Sequence, residues 1–539
     1  MLRLIDESKR LTQTLQTMRF LALALTIFLV TVATMARAEG ERVRVLSLDD
    51  CIKLALEHNL DIQVARLNPE LDKFSLRAAY GSYEPALSLS GSRAYQESTS
   101  GTQSETDSFR GGVGGLLPWG MNYNLGLRMS DSHGTFASTT SDLANPTLAT
   151  NTFNIAGGGT IDYLSTNYPS LSTRTVFDDA SANGGAFELR QPLLKDFWTD
   201  ITRLTIFINK NNLKSSELSL RDQIMLTITR VERAYYNVIY ADENVKVQEK
   251  ALQLAEQLVT DNRRRVELGA LAPLDEKQAE SQAAASRANL LDGRAGYDSA
   301  QRNLKSLMSD DYKEWLDATV QASETLKAVP QKFELFKSWR KGEVARPDLL
   351  IARLSLESQD EQVKLARNQK LPSLDVVGNA GYTGSGNEFS SAFRDIRGKD
   401  YPYYTYGLEM TVPLGNTVAR NRYKSSQTTR EKLALRYKQI EQAALISIET
   451  SISQGRTSLE RVEATRQASL YAEDALKAEQ TKLDKGKSTS FFVLQLQREL
   501  TAARSSEIRA LADYNIALAE LAYNEGSTLE RRNVDLKVK

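Results

Sequence analysis

From Leu193 to Leu268 the chain runs 76 residues without a glycine or proline, and from Asn416 to Lys485 it runs on with one glycine and no proline. These residue types end or kink helices, so their absence predicts two uninterrupted helices. About 60 helical residues reach roughly 90 Å, far beyond the helices of a compact domain. In the second run Leu433, Tyr437, Ile440, Ala444, Ile448, Ile452, Gly455, Leu459 and Val462 recur over 29 residues in eight steps. The mean step of about 3.6 is that of a straight helix, not of a strict heptad. Small residues on this stripe suit helices laid side by side in a wall, whereas a two-stranded zipper would repeat Leu or Ile. On periodicity alone an ordinary long coiled coil stays open.

The two runs belong to a tandem duplication. At an offset of 287, Ala65-Arg66-Leu67 matches Ala352-Arg353-Leu354, Pro85 matches Pro372, Leu87 matches Leu374 and Tyr95 matches Tyr382. Further on the offset falls to 221 for Pro192 and Pro413, and to 217 for Gly269 with Gly486 and Tyr297 with Tyr514. The fall from 287 to 221 leaves 66 extra residues in the first copy, between Tyr95 and Phe187, rich in Gly, Ser, Thr and Asn as a surface insertion is. Each run ends at a glycine and is followed by a second long helical stretch, Asp275 to Met308 and Phe491 to Asn524. The expectation is two antiparallel helical hairpins with exposed tips at Gly269 and Gly486.

Opposite the tips the period changes to two. Tyr404, Tyr406, Leu408, Met410 and Val412 alternate with Thr405, Gly407, Glu409 and Thr411, and Leu374, Val376, Ala380 and Tyr382 alternate with Asp375, Val377 and Asn379. One apolar and one polar face suit a barrel strand between lipid and water, or a half-buried strand of a soluble sheet. The group Tyr401, Tyr403, Tyr404 and Tyr406 suits an interfacial girdle or a core cluster. In the first copy Leu87 and Leu89 alternate with serines, with Arg93 on the apolar side, and Phe187 and Leu189 mark the return strand. Within the insertion Tyr123, Leu125, Leu127 and Met129 alternate likewise, as do Phe153, Ile155 and Ile161. The expectation is two strands per copy, four per chain, with the insertion at least partly β.

Composition narrows the function. The 68 basic residues balance 68 acidic ones, unlike a nucleic-acid-binding chain. Lys9, Arg10 and Arg19 precede an apolar run from Phe20 to Ala33 and then Ala36-Arg37-Ala38, which reads as a signal peptide cut after Ala38. A run of about 14 residues is short against the roughly 20 that span a bilayer. Cys51, the sole cysteine, forms no internal disulfide and reads as a small apolar helix residue. His58 and His133 are the only histidines. With no phosphate-binding glycine loop and no clustered metal spacing, neither an enzyme nor a cofactor is expected.

No later stretch is apolar enough for a spanning helix, so membrane entry requires a closed β-barrel. Four strands cannot close a membrane barrel when about eight is the usual minimum, so the barrel is expected to be shared between protomers, in a number the arithmetic leaves open.

Leu46-Ser47-Leu48-Asp49-Asp50-Cys51-Ile52-Lys53-Leu54-Ala55-Leu56-Glu57-His58-Asn59 resembles the opening helix of TolC-family outer-membrane efflux proteins, and Gln191 to Leu194 (QPLL) resembles the end of their second strand. The duplicated helix, hairpin and long-helix plan covers about 45 to 525. The resemblance implies an α+β membrane protein in the outer membrane of a Gram-negative envelope: a homotrimer with a 12-stranded β-barrel in outer-membrane lipid and a long periplasmic α-barrel. Its implied partners are a periplasmic adaptor (membrane fusion) protein and an inner-membrane pump, in tripartite efflux or type I secretion. A periplasmic coiled-coil spacer without transport is the competing expectation, and substrate is left open.

The corresponding domain plan is a signal peptide at 1–38, a first repeat at 39–308 with its insertion at 96–186, an equatorial connector at 309–345, a second repeat at 346–525 and a tail at 526–539. By the same resemblance the tips Leu268, Gly269, Ala270, Lys485, Gly486 and Lys487 dock the adaptor. Asp275 matches an acidic position at the family's first tip. Where a well-known member carries two gate aspartates, this chain has Phe492 and Gln495, so a gate of packing and polar contacts around Asp275, Phe491, Phe492 and Gln495 is expected. Leu374, Val376, Tyr382, Tyr406, Leu408 and Met410 are expected to face lipid.

Overall fold

The computed structural model describes residues 42–534 apart from 100, 156–157 and 270, so the signal-cleavage residues Ala36 and Ala38, the tip residue Ala270 and the end of the tail lie outside the described residues. In chain order the elements are β1 (Arg42–Leu46), α1 (Leu48–His58), α2 (Leu60–Tyr80), β2 (Ala86–Glu97), β3 (Gln103–Leu116), β4 (Asn122–Ser141), β5 (Thr147–Ile155), β6 (Gly159–Asn167) and β7 (Ser170–Pro192). There follow α3 (Ile201–Glu267), α4 (Pro273–Met308), β8 (Ala318–Ala322), α5 (Leu335–Ala345), α6 (Pro347–Asn368), β9 (Ser373–Gly386), α7 (Phe389–Gly398), β10 (Pro402–Thr411), α8 (Thr417–Asp484), α9 (Ser490–Asn524) and α10 (Thr528–Arg531). They form two compact units, residues 42–67, 219–347 and 441–534 in one and 68–218 and 348–440 in the other. Both copies of the duplication contribute to each unit.

The first long helix starts later than the glycine- and proline-free run suggested. Residues 193–200 form turns instead, because Asp196 and Trp198 adopt left-handed backbone with φ of 65° and 54°, a conformation that cannot propagate a right-handed helix. The helix then begins where the Asp200 carboxylate accepts from the Arg203 N–H at 2.9 Å, satisfying a donor of the first turn.

In the first unit the core gathers Leu48, Cys51 and Ile52 of α1, Met225, Ile228, Val231 and Tyr235 of α3, Leu304 and Met308 of α4, and Trp315. The α1 helix is set by a capping box in which Ser47 and Asp50 each satisfy the other's backbone N–H. Beside it β1 pairs in parallel with β8, and the Gln301 carboxamide oxygen accepts from the buried Val320 N–H at 3.0 Å. Along α8, Ala444, Ile448, Ser451, Ile452, Gly455 and Val462 are buried, so the predicted stripe is the packed face. At Gly455 the Phe333 ring packs close: a Cβ would stand 3.0 Å from it, a tight contact.

The second unit contains the largest departure from expectation. Its main sheet has six strands, not four, in the order β10-β9-β7-β4-β3-β2, every neighbour antiparallel. The insertion supplies β3 and β4 as a hairpin within this sheet, while β5 and β6 pair as a separate two-stranded ribbon. The sequence hid β3 because Gly111, Gly112, Gly114 and Gly115 leave only Phe109 and Val113 to mark its apolar face, while Leu116 falls on the other.

The short α7 lies against this sheet. Ala392 packs with Ala180 and Ala182, beside Met129 and Ile396. Glycine permits the approach, since a Cβ on Gly384 would stand 2.0 Å from the Ala392 carbonyl oxygen and one on Gly184 2.4 Å from Ile396.

Candidate functional site

Register gives the sheet two unlike faces. One rung runs Leu87, Val113, Leu125, Phe187, Ala380 and Tyr404 across all six strands. The next rung on this face toward α3 and α8 runs Gly115, Tyr123, Leu189, Gly378 and Tyr406, with Leu374 opposite Met410 and Val376 opposite Leu408 further along. Tyr382, opposite Pro402, shares the face, so the six expected lipid-facing residues lie together. Tyr404 and Tyr406 are 76% and 80% exposed, which makes the tyrosine group a surface feature and not a core cluster.

The apolar band ends abruptly. Two rungs beyond Leu87 and Leu89, Arg93 stands opposite Asp107 and Asp107 opposite Asp131. The Arg93 guanidinium donates to both Asp107 oxygens at 2.7 Å. Next, His133 contacts Glu105 at 3.2 Å. Arg93, an exception to the alternation in sequence, is thus the start of a polar rim.

The opposite face is mainly polar and small, with Val377 and Leu116 as exceptions: Ala86, Gly114, Asn124, Glu188, Asn379 and Thr405 form one rung, and Ser90, Arg110, Arg128, Asn183 and Thr383 another. On this face Arg190 donates to Asp375 at 2.9 Å and lies 3.3 Å from Glu409.

In the first unit both helical hairpins turn on glycine. Gly269 and Gly486 have φ of 72° and 70°, the left-handed region that only glycine enters freely. At the second tip Lys487 N–H donates to Lys482 O and Gly486 N–H to Leu483 O, a double closure that satisfies the last carbonyls of α8. Leu268 is 77% exposed.

The tips also hold each other. Arg265 donates to the Asp484 carboxylate at 3.1 Å and to the Leu483 carbonyl. Asp275 accepts from the Ala272 N–H at 3.2 Å, capping α4, and from the Ser490 hydroxyl at 3.1 Å. The Lys482 ammonium, with the Ser488 hydroxyl, holds the Glu479 carboxyl below its ordinary value. Phe491 and Phe492 meet edge to face with centroids 5.7 Å apart, 50% and 52% exposed. Gln495 donates along its own helix to Glu499 at 2.9 Å. The gate candidates Asp275, Phe491, Phe492 and Gln495 therefore fall at one end of the unit, but in two roles, with Asp275 tied to backbone and Ser490 and the rings half-exposed against each other. Arg265 and Ser490 were not singled out from sequence, since neither stands in a motif and their roles arise only from contacts between the hairpins.

No cluster of three or more metal-binding side chains and no helix long and apolar enough to cross a membrane occurs among the described residues. His58 sits half-exposed 3.2 Å from Asp310.

The pattern of the outer membrane efflux proteins matches residues 166–309 and 343–525, which include both helical hairpins. The chain belongs to the outer membrane efflux protein family. The matched part begins inside β6, so β2, β3 and β4 precede it. As an efflux protein it is 23% identical over 323 residues to outer membrane protein TolC of Vibrio cholerae serotype O1, covering 57% of this chain and 69% of that one. It is also 23% identical over 317 residues to TolC of Escherichia coli, covering 63% of that chain. Its fold is that of the CmeC outer membrane channel of Campylobacter jejuni, with a TM-score of 0.63 at 15% identity over 91% of this chain and 90% of that one. VceC of Vibrio cholerae gives a TM-score of 0.61 at 16% identity, over 89% and 96%. This efflux protein is therefore an outer-membrane channel protein with a periplasmic portion, in a family of transport channels and not of enzymes.

Proposed function

We propose that the chain is one protomer of a homotrimeric export duct that receives substrates from an inner-membrane pump through a periplasmic adaptor, in tripartite efflux or type I secretion. The observation that carries this reading is the six-stranded sheet with one apolar face and two open edges, β2 and β10. Unpaired strand edges are too costly to leave in hydrocarbon, so such a sheet enters a membrane only by closing with other copies. The apolar face, including Leu374, Val376, Tyr382, Tyr406, Leu408 and Met410, then meets outer-membrane lipid, and the face bearing Arg110, Arg128 and Arg190 meets water in the lumen.

The hairpin tips, Leu268–Gly269 and Lys485–Gly486–Lys487, present exposed turns for the adaptor; Ala270 is assigned with them by sequence. Phe491, Phe492 and Gln495 close the periplasmic aperture by packing and polar contact, and Asp275, bonded to Ser490, keeps the two hairpins of one protomer in step. Opening is an outward movement of the tip helices as bodies, biased by adaptor binding. The domain plan of two repeats joined through residues 309–345 places the connector, which includes β8 and α5, between the hairpins.

Subunit mass and single-channel recording of the detergent-purified mature protein in planar bilayers test this. A trimer with discrete pores of low conductance supports it. A monomer extracted without detergent and forming no pores would overturn it in favour of a periplasmic spacer.

A further inference from the structure

The β3–β4 hairpin does not decorate the sheet. It stands between β2 and β7, pairing with β2 along the whole of that strand, Ala86 to Glu97, and with β7 from Asn122 to Ser141. Both faces run through it without a break: Phe109, Val113, Leu125, Leu127 and Met129 continue the apolar band, and Ser108, Arg110, Asn124 and Arg128 continue the polar one. Within the protomer β2 and β7 are thus three strand spacings apart, about 14 Å. Strand direction is preserved too. A two-strand insertion leaves β2 and β10 running in opposite directions, as antiparallel closure against another copy requires.

We propose that the β3–β4 hairpin is part of the barrel wall, that β10 of each protomer pairs with β2 of the next copy, and that the trimer closes an eighteen-stranded barrel. The proposal rests on the trimeric channel reading above. Barrel diameter grows roughly linearly with strand number. With strands about 4.8 Å apart and tilted about 40°, twelve strands enclose a backbone diameter of about 24 Å and eighteen about 36 Å. The cross-section more than doubles. The outer-membrane segment of this duct is therefore built for cargo wider than four strands per protomer would pass, and exclusion by size falls to the hairpin tips.

Paired cysteine substitutions with oxidation in intact outer membranes test the wall. The only native cysteine, Cys51, is buried and gives no background. Three sets are compared: Ser88→Cys, Ser90→Cys or Ser92→Cys each combined with Thr405→Cys, Gly407→Cys or Glu409→Cys across the proposed seam; Ser92→Cys with Ser108→Cys, directly opposed on β2 and β3; and Ser90→Cys with Asn183→Cys, which share a rung but meet only if β2 lies beside β7. Scanning nine seam pairs covers the register, since a disulfide needs Cα atoms about 5.5 Å apart.

The expected result is covalent trimers from at least one seam pair, a bond within the monomer from the β2–β3 pair, and no bond from the β2–β7 pair. A bond from the β2–β7 pair, or failure of the β2–β3 pair, would place the hairpin outside the wall and overturn the proposal. Absence of every seam bond would overturn it as well. Pore formation by the parent protein in planar bilayers separates these failures from failure of the channel reading: a pore-forming trimer without the bonds sinks only the eighteen-stranded wall, and a monomer without pores sinks both.

Discussion

Replacing Phe492 and Gln495 together with alanine tests the gate most directly. In the protomer Phe492 leaves 52% of its surface exposed, which for a ring burying about 200 Å² is about 100 Å² available to neighbouring protomers. At about 25 cal/mol per Å², closing the aperture over that surface contributes about 2.5 kcal/mol per ring, of which alanine keeps a minor part. The loss is about 2 kcal/mol per protomer. Three protomers opening together lose about 6 kcal/mol, which shifts the open-to-closed ratio by about 10⁴. Gln495 adds little, because its carboxamide already bonds Glu499 within α9. In planar bilayers the variant trimer is expected to pass from brief, low-conductance openings to a persistently higher level, and cells carrying it to admit bulky solutes the parent excludes. A correctly assembled variant trimer with unchanged conductance and unchanged exclusion would refute the assignment of Phe492 to the aperture.

Three further outcomes are expected. Gly384→Ala places a methyl 2.0 Å from the Ala392 carbonyl, so α7 must lift from the sheet at about 1–3 kcal/mol; trypsin should then cleave after Arg394 and Arg397 faster than in the parent trimer. Arg532→Met strands the buried Glu232 carboxylate, its partner in the first unit, at about 3–5 kcal/mol, and the helical melting transition should recover when Glu232→Gln is added. Burial pushes the Cys51 thiol up to about 12, so maleimide at pH 8 should label it only after denaturation. Because the unfolded thiol ionises first, stability from this site is full below its unfolded value of about 9 and declines as pH rises toward about 12.

Some of this architecture was legible because local rules set it. The helical hairpins follow from the absence of glycine and proline between two turn glycines, and Gly269 and Gly486 both adopt the left-handed backbone that position requires. The α8 stripe was traceable because a helix reports its buried face every 3.6 residues. Strands of the second copy were equally clear, since Tyr404, Tyr406, Leu408 and Met410 all point one way. The gate candidates came through resemblance, and their local geometry comes from contacts: Asp275 with Ser490, and Phe491 against Phe492.

The sequence alone therefore determined the duplication, the hairpins, the turn positions and the family, because each is written in residue type at fixed spacing. Tertiary structure alone decided which strand lies beside which. Pairing depends on partners far apart in the chain, such as Phe187 of the first copy with Ala380 of the second, and no local signal specifies a neighbour. A strand such as β3, whose side chains are mostly glycine and small polar groups, carries almost no pattern of its own; its place in the wall comes from backbone hydrogen bonds to β2 and β4, which every residue type can make.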